Sequence, residues 1–264
     1  MTMKKRKRWA LLHIPSKDEI SLVARKLSLS IDYKRLIEQY KALIETLTEN
    51  SLDVVNIPTT SRVIPRKGAF IGDVFKKIGN FYIIGNPPSR DYPVSLIKTF
   101  CRDFGIKPLL DISKTPGATL NCGDLIPINS SSVAIGLSKE TNNLGIDRIV
   151  HKLNIAVFIP CKVSYAHLDN FLCATEECMI ANINFKGTSL EAWLRAIDFK
   201  IIFLPDDERC SANILSLHEN IIISFKENFI ANRILSKLGF KLYTLSGSEI
   251  LKMGGGLQCL VSLI

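Results

Sequence analysis

The hydrophobic residues of this chain follow two patterns. One is the periodicity of amphipathic helices, and the other is the compact apolar run typical of short buried strands. In residues 33–50, apolar positions recur every three or four residues, which places them on one helical face. Four later segments show the same spacing. The pattern predicts helices over 33–50, 93–105, 143–154, 189–198 and 227–239.

Compact runs rich in Val, Ile and Phe lie on either side of these helices and predict buried strands. The runs before the helices span 81–85, 132–137, 178–183 and 220–225, and those after the helices span 52–58, 106–112, 155–160, 200–205 and 240–245. Three of the later runs end at a proline, namely Pro58, Pro160 and Pro205. Because proline has no amide hydrogen for the strand ladder, we expect those strands to stop there.

The order strand, helix, strand is repeated five times along the chain. Repetition of one supersecondary unit indicates a closed or a stacked array. Since no copy carries the polar face of a terminal cap, a ring fits the pattern better than a solenoid. An open, doubly wound α/β sheet is the remaining alternative. We therefore predict a single α/β domain over residues 1–264, with residues 1–8 as a basic N-terminal tail.

The positive charge of the chain is partly concentrated at its start. The chain has 34 basic and 25 acidic residues, a net charge of +9, and five of the basic residues form the run from Lys4 to Arg8. Such a run is typical of a solvated tail, with a nucleic-acid or targeting patch as the other interpretation. No stretch reaches the roughly 20 apolar residues of a membrane span, and no signal-peptide core follows the basic run.

Cysteine and histidine are scattered along the chain. The seven cysteines are odd in number, no two have C-x-x-C spacing, and the four histidines lie apart. We therefore expect a cytoplasmic protein in a reducing compartment, with neither a structural zinc site nor a membrane partner. The sequence leaves the oligomeric state open, a homodimer included.

Two polar spots interrupt apolar runs that we predict to be strands. Asp73 stands within 69-AFIGDVF-75, where a buried carboxylate on a strand would need a partner. A strand edge or a turn is the simpler explanation of an isolated aspartate. His167 and Asp169 are two residues apart, so on a strand both would face one ligand, although an ordinary surface pair has the same spacing.

A third candidate is the stretch 252-KMGGGLQCLVSLI-264, in which Cys259 follows three consecutive glycines. Glycine lets a ligand approach the main chain closely, so the run could mount a nucleophilic thiol. The alternative is a turn before a buried cysteine, since free cysteines are among the most buried residues. A usable thiolate would also need a histidine or a positive field nearby.

Taken together and in order, several stretches resemble the guanidino-group modifying enzymes, the pentein or amidinotransferase superfamily. The resemblance is strongest to dimethylarginine dimethylaminohydrolases and arginine deiminases, and it spans nearly the whole chain. The segments that carry it are 70-FIGDV-74, 87-PPSR-90, 119-TLNCGDLI-126, 136-GLSKETNNLG-145, 166-AHLDN-170, 208-ERCSANIL-215 and 248-SEILKMGGGLQCL-260.

The resemblance implies a fold, a reaction and a set of site residues. The fold is a pentein α/β-propeller, a five-bladed ring of ββαβ units. The reaction is hydrolysis of a C–N bond in a small guanidino substrate through a thiouronium intermediate, without a metal or organic cofactor. The implied site comprises the nucleophile Cys259, the general acid and base His167, the guanidinium-binding Asp73 and Asp169, and Arg90, which would hold the substrate or its surrounding loop.

This chain also departs from the family pattern. Asn121 and Cys122 stand where the family has an acid and a glycine, so one substrate-binding negative charge is missing at position 121. Gly72 and Lys67 replace two further acidic residues, and Glu140 replaces an arginine that would anchor a substrate α-carboxylate.

The departures keep a second function open, that of a non-catalytic or altered-substrate binding protein on the same fold. A ribosome-associated translation factor also uses a pentein ring, and the basic tail would suit RNA. That factor lacks the cysteine and histidine motifs found here, so a nucleic-acid partner is disfavoured.

Overall fold

The computed structural model describes residues 8–58, 68–88, 90–129, 132–153, 157–162, 167–206, 211–218 and 220–264. Most of the basic run and Lys67 lie outside these residues, as do Ser89, Ala166 and Cys210 of the matching segments. Within the described ranges no helix combines the length and the apolar character needed to cross a bilayer.

The described part of the chain contains fifteen strands in five three-stranded sheets. The strands are β1 Arg8–Leu12, β2 Leu52–Asn56, β3 Phe75–Ile78, β4 Phe81–Ile84, β5 Leu110–Asp111, β6 Leu125–Asn129, β7 Ser132–Leu137, β8 Val157–Lys162, β9 Leu172–Ala174, β10 Cys178–Asn182, β11 Lys200–Leu204, β12 Leu215–Ser216, β13 Ile221–Phe225, β14 Lys241–Leu245 and β15 Ser262–Leu263. The sheet orders are β15-β1-β2, β3-β4-β5, β6-β7-β8, β9-β10-β11 and β12-β13-β14.

Eight α-helices lie in the described ranges, and the five predicted from periodicity are all present. The helices are α1 Lys17–Leu27, α2 Tyr33–Glu49, α3 Asp91–Asp103, α4 Asn143–Lys152, α5 Ser189–Ala196, α6 Phe229–Lys237, α7 Ser248–Lys252 and α8 Leu257–Leu260. The periodicity missed α1, although the chain signals its start. Ser16 and Glu19 form a reciprocal capping box there, which satisfies two amides at the helix N-terminus.

Each sheet has the same arrangement of strand directions. The middle strand runs antiparallel to the first strand and parallel to the third, and a helix joins the parallel pair. The repeated unit is therefore ββαβ, one strand longer than the unit read from hydrophobic runs. In the sheet of β1, the antiparallel strand is β15, which brings Ala10 beside Leu263 and joins the two ends of the chain.

Two expectations about strands are wrong in detail. Pro160 does not end its strand, because β8 continues to Lys162 and pairs Pro160 with Ile135. β8 is the outer strand of its sheet, where a missing amide hydrogen is tolerated. Asp169 does not lie on a strand either, whereas Asp73 lies in a turn, which is the simpler explanation given for it above. They belong to the 3-10 turns Ile71–Asp73 and Leu168–Asn170, and His167 directly precedes the second turn.

A short turn precedes the first strand of each unit, and these turns meet one another. The turn Ile71–Asp73 contacts the 3-10 turn Cys122–Asp124, which contacts Leu168–Asn170, and α8 contacts the first and the last of the three. The apolar side chains of the sheets and helices form buried clusters behind these turns. The chain is thus folded so that polar residues of several units converge.

Candidate functional site

The convergent turns surround a cavity of about 190 Å³. Three side chains of its wall, Asp73, His167 and Cys259, are candidates from the sequence. The fourth, Glu140, was noted in the sequence only as a departure from the family pattern, and Gly254 and Gly255 complete one side. The cavity therefore brings together a thiol, an imidazole and two carboxylates.

The glycine run places Cys259 at this cavity by close packing. Gly254 has a φ of +93°, a left-handed conformation that favours glycine. A Cβ on Gly255 would lie 2.6 Å from the ring of Phe70. The run is thus both a turn and a close approach of main chain to its neighbours, and the helix α8 that follows it carries Cys259 in a buried position.

The sulfur of Cys259 lies between an amide donor and a carboxylate. Asn213 Nδ2 donates to Sγ at 3.2 Å, and Asp169 Oδ2 lies 3.6 Å from Sγ on another side. Asn213 also accepts a hydrogen bond from the backbone amide of Gln258 at 2.7 Å. A single buried asparagine therefore fixes both the backbone of α8 and the thiol.

The side chain of Gln258 anchors the same helix from outside the cavity. Its Nε2 lies 3.1 Å from the carbonyl oxygens of Asp169 and Leu172 and 3.3 Å from that of Ala212. These contacts tie α8 to the turn that carries Asp169 and to the segment that carries Asn213. The position of the thiol relative to both residues is therefore set by the fold.

His167 faces the cavity in a cluster of polar groups. Its Nε2 lies 3.0 Å from Glu140 Oε2 and 2.9 Å from Asn121 Nδ2, and its Nδ1 lies 3.9 Å from Asp73 Oδ1. Burial lowers the pKa of His167, but the hydrogen bond to Glu140 and the neighbouring carboxylates outweigh this effect and raise the pKa to about 9. The imidazole is therefore expected to be protonated at neutral pH.

Asp73 offers one free acceptor to the cavity. Its Oδ2 accepts a hydrogen bond from Arg90 Nη2 at 2.7 Å, whereas its Oδ1 is buried without a hydrogen-bond partner. A buried carboxylate oxygen without a donor costs free energy, which a cationic donor in the cavity would offset. Arg90 itself is 2% exposed and lies behind Asp73, where it binds the carboxylate.

Asp169 is fully buried beside Cys259. Burial raises the pKa of Asp169 well above its ordinary value, although the charge of His167 acts in the opposite direction. Its carboxylate packs directly on Gly123, where a Cβ would lie 2.7 Å from Oδ2. The turn before β6 therefore supports the position of Asp169.

Asp124 ties three segments of the site together. Its Oδ2 accepts hydrogen bonds from the hydroxyls of Ser138 at 2.6 Å and Thr141 at 2.5 Å, and its Oδ1 accepts from the amide of Leu168 at 2.9 Å. The carboxylate thereby holds the loop that carries Glu140 against the turn that follows His167. Desolvation by burial raises the pKa of Asp124.

The departure at position 121 coincides in space with the departure at position 140. Glu140 Oε2 accepts a hydrogen bond from Asn121 Nδ2 at 2.9 Å and lies 3.4 Å from Arg90 Nη2. Asn121 Oδ1 in turn accepts from the amide of Gly123 at 2.7 Å, which caps the turn. Glu140 therefore brings a carboxylate to the place beside His167 where Asn121 lacks one.

The departure at Gly72 follows from packing. A Cβ at this position would overlap the carbonyl oxygen of Gln258. The turn before β3 and helix α8 can approach this closely only because residue 72 has no side chain. Asp73 and Cys259 are thereby brought to the same cavity.

The structure brings all six predicted site residues into one contiguous cluster, and it adds three that the sequence did not assign. The added residues are Asp124, Glu140 and Asn213. One signal could have found Asp124 and Asn213, because each precedes the first strand of its unit, as Asp73 and Asp169 do. Glu140 has no such signal, since it lies in the loop before α4.

Three side chains have the spacing that a metal ion requires. One ligand atom each from Asp73, Asp169 and Cys259 lies within 4.8 Å of the others. Two carboxylates at this spacing also suit a planar guanidinium, which offers forked N–H donors to oxygen acceptors. The donor set thus fits a small cation of either kind.

Comparison with known proteins gives a consistent set of relatives. A family model described as arginine deiminase matches residues 174–264, which include Asn213 and Cys259. The uncharacterised protein YkgA of Bacillus subtilis is 27% identical over 87% of this chain and 80% of its own length. Dimethylarginine dimethylaminohydrolase of Pseudomonas aeruginosa is 24% identical over 87% of this chain and 88% of its own length.

Solved structures match the fold over almost the whole chain. A mutant of the Pseudomonas aeruginosa dimethylarginine dimethylaminohydrolase in complex with citrulline superposes with a TM-score of 0.79 at 22% identity, covering 97% of this chain and 98% of that one. The substrate-bound N-terminal domain of ArgZ, a cyanobacterial arginine dihydrolase, gives a TM-score of 0.78 at 15% identity, covering 97% and 98%. The predicted resemblance to guanidino-group modifying enzymes is confirmed, and the mixed α/β fold matches theirs.

Proposed function

We propose that this chain is a guanidino-group modifying enzyme that hydrolyses a C–N bond of a small guanidino compound, with Cys259 as the nucleophile. The observation that carries the proposal is the cavity itself. Cys259 and His167 line the same small space, and Asp73 presents a buried oxygen there that has no hydrogen-bond partner. The relatives of known activity act on the same functional group.

Binding of the guanidinium would satisfy the acidic part of the site. Asp73 Oδ1 would accept one N–H of the planar cation, and the carboxylate of Asp169, which lies 3.6 Å from the sulfur, would offer a second acceptor. Two fixed acceptors orient a planar group in a way that one cannot. The guanidinium carbon would thus be held against Sγ of Cys259.

The cation would also assist formation of the thiolate. Sγ stands next to the Asp169 carboxylate, and a neighbouring negative charge disfavours a second one. A bound guanidinium compensates this charge, and Asn213 Nδ2 donates to the sulfur in either state. Loss of the thiol proton to solvent would then accompany substrate binding.

In the first chemical step the thiolate attacks the guanidinium carbon and forms a C–S bond. His167, which is protonated because its pKa is about 9, donates a proton to the departing nitrogen as the C–N bond breaks. An amine leaves, and a positively charged S-alkylthiouronium remains on Cys259. Asp73 and Asp169 continue to balance its charge.

In the second step the now neutral His167 removes a proton from water. The resulting hydroxide adds to the thiouronium carbon, the new hydroxyl group loses its proton to solvent as the C–S bond breaks, and the thiolate of Cys259 is restored with release of a ureido product. Glu140 holds the Nε2 side of the imidazole throughout, and its negative charge stabilises each return to the protonated state.

We further infer that the five sheets stand around the cavity as the blades of a ring within one domain. The common ββαβ order of four sheets supports this, as does the completion of the remaining sheet by β15. The successive contacts of the turns before β3, β6 and β9 with α8 support it as well. Such a ring would explain why polar residues from distant parts of the chain meet at one point.

Activity measurements test the proposed function. The purified protein is incubated with arginine, methylated arginines, agmatine and simple alkylguanidines, and ureido product and released amine are quantified. We expect turnover of at least one compound and its loss by about a thousandfold or more in Cys259→Ser. Cys178→Ser serves as the control, because Cys178 lies on β10 beside the hydroxyl of Thr175 and does not line the cavity. A folded protein without turnover on the whole panel would contradict the proposal.

A further inference from the structure

Glu140 gives the wall of the cavity a negative charge in addition to that of Asp73. The side chain of Glu140 is 22% exposed, so its carboxylate lies at the border between the buried cluster and solvent. The charged groups that line the cavity with it are Asp73, His167 and Lys139. The loop that carries Glu140 is fixed through Ser138 and Thr141 to the buried Asp124.

Among the described residues, the guanidinium that contacts this acidic wall is that of Arg90, which is already bound there. Arg90 Nη2 binds Asp73 Oδ2 at 2.7 Å and lies 3.4 Å from Glu140 Oε2, and the side chain is 2% exposed. A carboxylate that entered the cavity would have to take Arg90 from both partners. Doing so would leave two buried or half-buried acids without their cation.

Two further cations in the described ranges border the cavity, namely His167, whose Nε2 already lies 3.0 Å from Glu140, and Lys139. Lys139 follows Ser138 at the edge of the cavity and is exposed, so water screens its charge. Glu140 is its direct neighbour in sequence and is less exposed. Next to a ligand inside the cavity, the less exposed carboxylate has the stronger effect, because the local dielectric constant is lower.

From these contacts we propose that Glu140 selects guanidino substrates whose remaining part carries no carboxylate, such as aminoalkyl- or alkylguanidines, over α-amino acids such as arginine. The inference rests on the proposed function. The guanidinium would be held at Asp73 and Cys259 in a space of about 190 Å³ whose lining also includes Glu140, so a substituent that extends along the Ser138–Glu140 wall lies close to this carboxylate. An amine is attracted there, an alkyl group is tolerated, and a carboxylate is repelled.

The test compares agmatine, n-butylguanidine and arginine, which share the guanidinium but end in an amine, a methyl group and an α-amino acid. For the wild type we expect kcat/KM for agmatine to exceed that for arginine by at least about tenfold. Glu140→Gln should lower the agmatine-to-arginine ratio of kcat/KM by about tenfold, because the substitution removes the carboxylate charge and keeps nearly the same side-chain shape. In Lys139→Met, kcat/KM for agmatine should still exceed that for arginine. Taking ratios cancels any effect of the Glu140 substitution on His167 that is common to all substrates.

Binding to Cys259→Ser, measured by titration calorimetry with the same three compounds, repeats the comparison without chemistry. The inference would be supported if affinity decreases in the order agmatine, n-butylguanidine, arginine. The differences in affinity should become smaller when Glu140→Gln is added to Cys259→Ser. Arginine bound or turned over as well as agmatine, or a ratio that depends on Lys139 and not on Glu140, would overturn the inference and leave the hydrolase proposal intact. Absence of binding and turnover for all three, with turnover of another guanidine of the panel, would overturn the inference alone, whereas absence of turnover on the whole panel would overturn both.

Discussion

Glu140 Oε2 lies 3.0 Å from Nε2 of His167, so a carboxylate from the loop before α4 holds the imidazole of the candidate site. The same oxygen accepts a hydrogen bond from Asn121. Two of the positions at which the sequence departs from the family pattern are therefore in contact. We interpret them as one exchange, in which the carboxylate beside the histidine has moved from position 121 to position 140.

This relationship predicts the pH dependence of activity. The pKa of His167 is raised to about 9, with the Glu140 hydrogen bond as the largest raising effect. If protonated His167 is the acid of the first step, kcat/KM should fall on the alkaline side as this group loses its proton. Glu140→Gln should lower the pKa and move the alkaline limb to lower pH by about one unit or more. The limb is measured by initial rates between about pH 6 and about pH 10.5, a range that spans both the ordinary pKa of histidine and the raised pKa of His167.

Glu45→Gln, an exposed position on α2, is the matched control for the loss of a carboxylate and should leave the profile unchanged. An alkaline limb at the same pH in wild type and Glu140→Gln would show that Glu140 does not act on the titrating group.

The exchange also predicts how substitutions at the two positions combine. Asn121→Glu alone should reduce turnover, because the new carboxylate would stand in contact with that of Glu140 and replace the amide that now donates to it. Combined with Glu140→Arg, it should recover turnover of arginine above that of either single variant, because one carboxylate and a cation are provided together. A double-mutant cycle on kcat/KM gives the coupling, and strictly additive effects would contradict the exchange.

Asn213 should act on the nucleophile and not only on stability. Asn213→Ala removes the donor to the sulfur and leaves the amide of Gln258 without its acceptor, which should lower the free energy of unfolding by about 1–3 kcal/mol. Because the thiolate also loses its amide donor, we expect kcat to fall more than KM changes. The exposed Asn143→Ala provides the control. A variant that is less stable but has normal kcat would assign Asn213 a purely structural role.

Gly72 should tolerate no side chain. Gly72→Ala would place a methyl group on the carbonyl oxygen of Gln258, so helix α8 or the turn before β3 must shift. We expect a loss of at least about 2 kcal/mol in the free energy of unfolding, measured by urea denaturation. Gly79→Asn is a suitable control, because no atom lies within 4 Å of a Cβ there and asparagine tolerates its φ of +57°. Equal stability of the two variants would refute the close approach.

The elements predicted from the sequence are those with a long periodic pattern or a compact apolar run. Helix α2 shows a clear helical period, whereas the strands β7 and β13 are runs that are buried along almost their whole length. The first strands of the units were missed. Two of them, β12 and β15, have two residues each, which is too short to show a period. The run at 106–112 contributes only Leu110 and Asp111 to a strand.

The residues of the candidate site that belong to local sequence motifs were predictable. Cys259, His167, Asp73 and Asp169 were found in this way, although the strand considered for Asp169 is a turn. The partnership of Glu140 with His167 was not predictable, because it depends on a tertiary distance between residues 27 positions apart. The substitution alone suggests a lost anchor, whereas the structure shows a gained contact.

The covalent intermediate on Cys259 is the most direct test of the proposed function. The protein is quenched in acid during turnover of the best guanidine of the panel, and its intact mass and the mass of the peptide with Cys259 are determined. We predict an added mass equal to the substrate minus its leaving amine, located on Cys259 and absent from Cys259→Ser. Turnover without this adduct, or an adduct on another cysteine, would contradict the account.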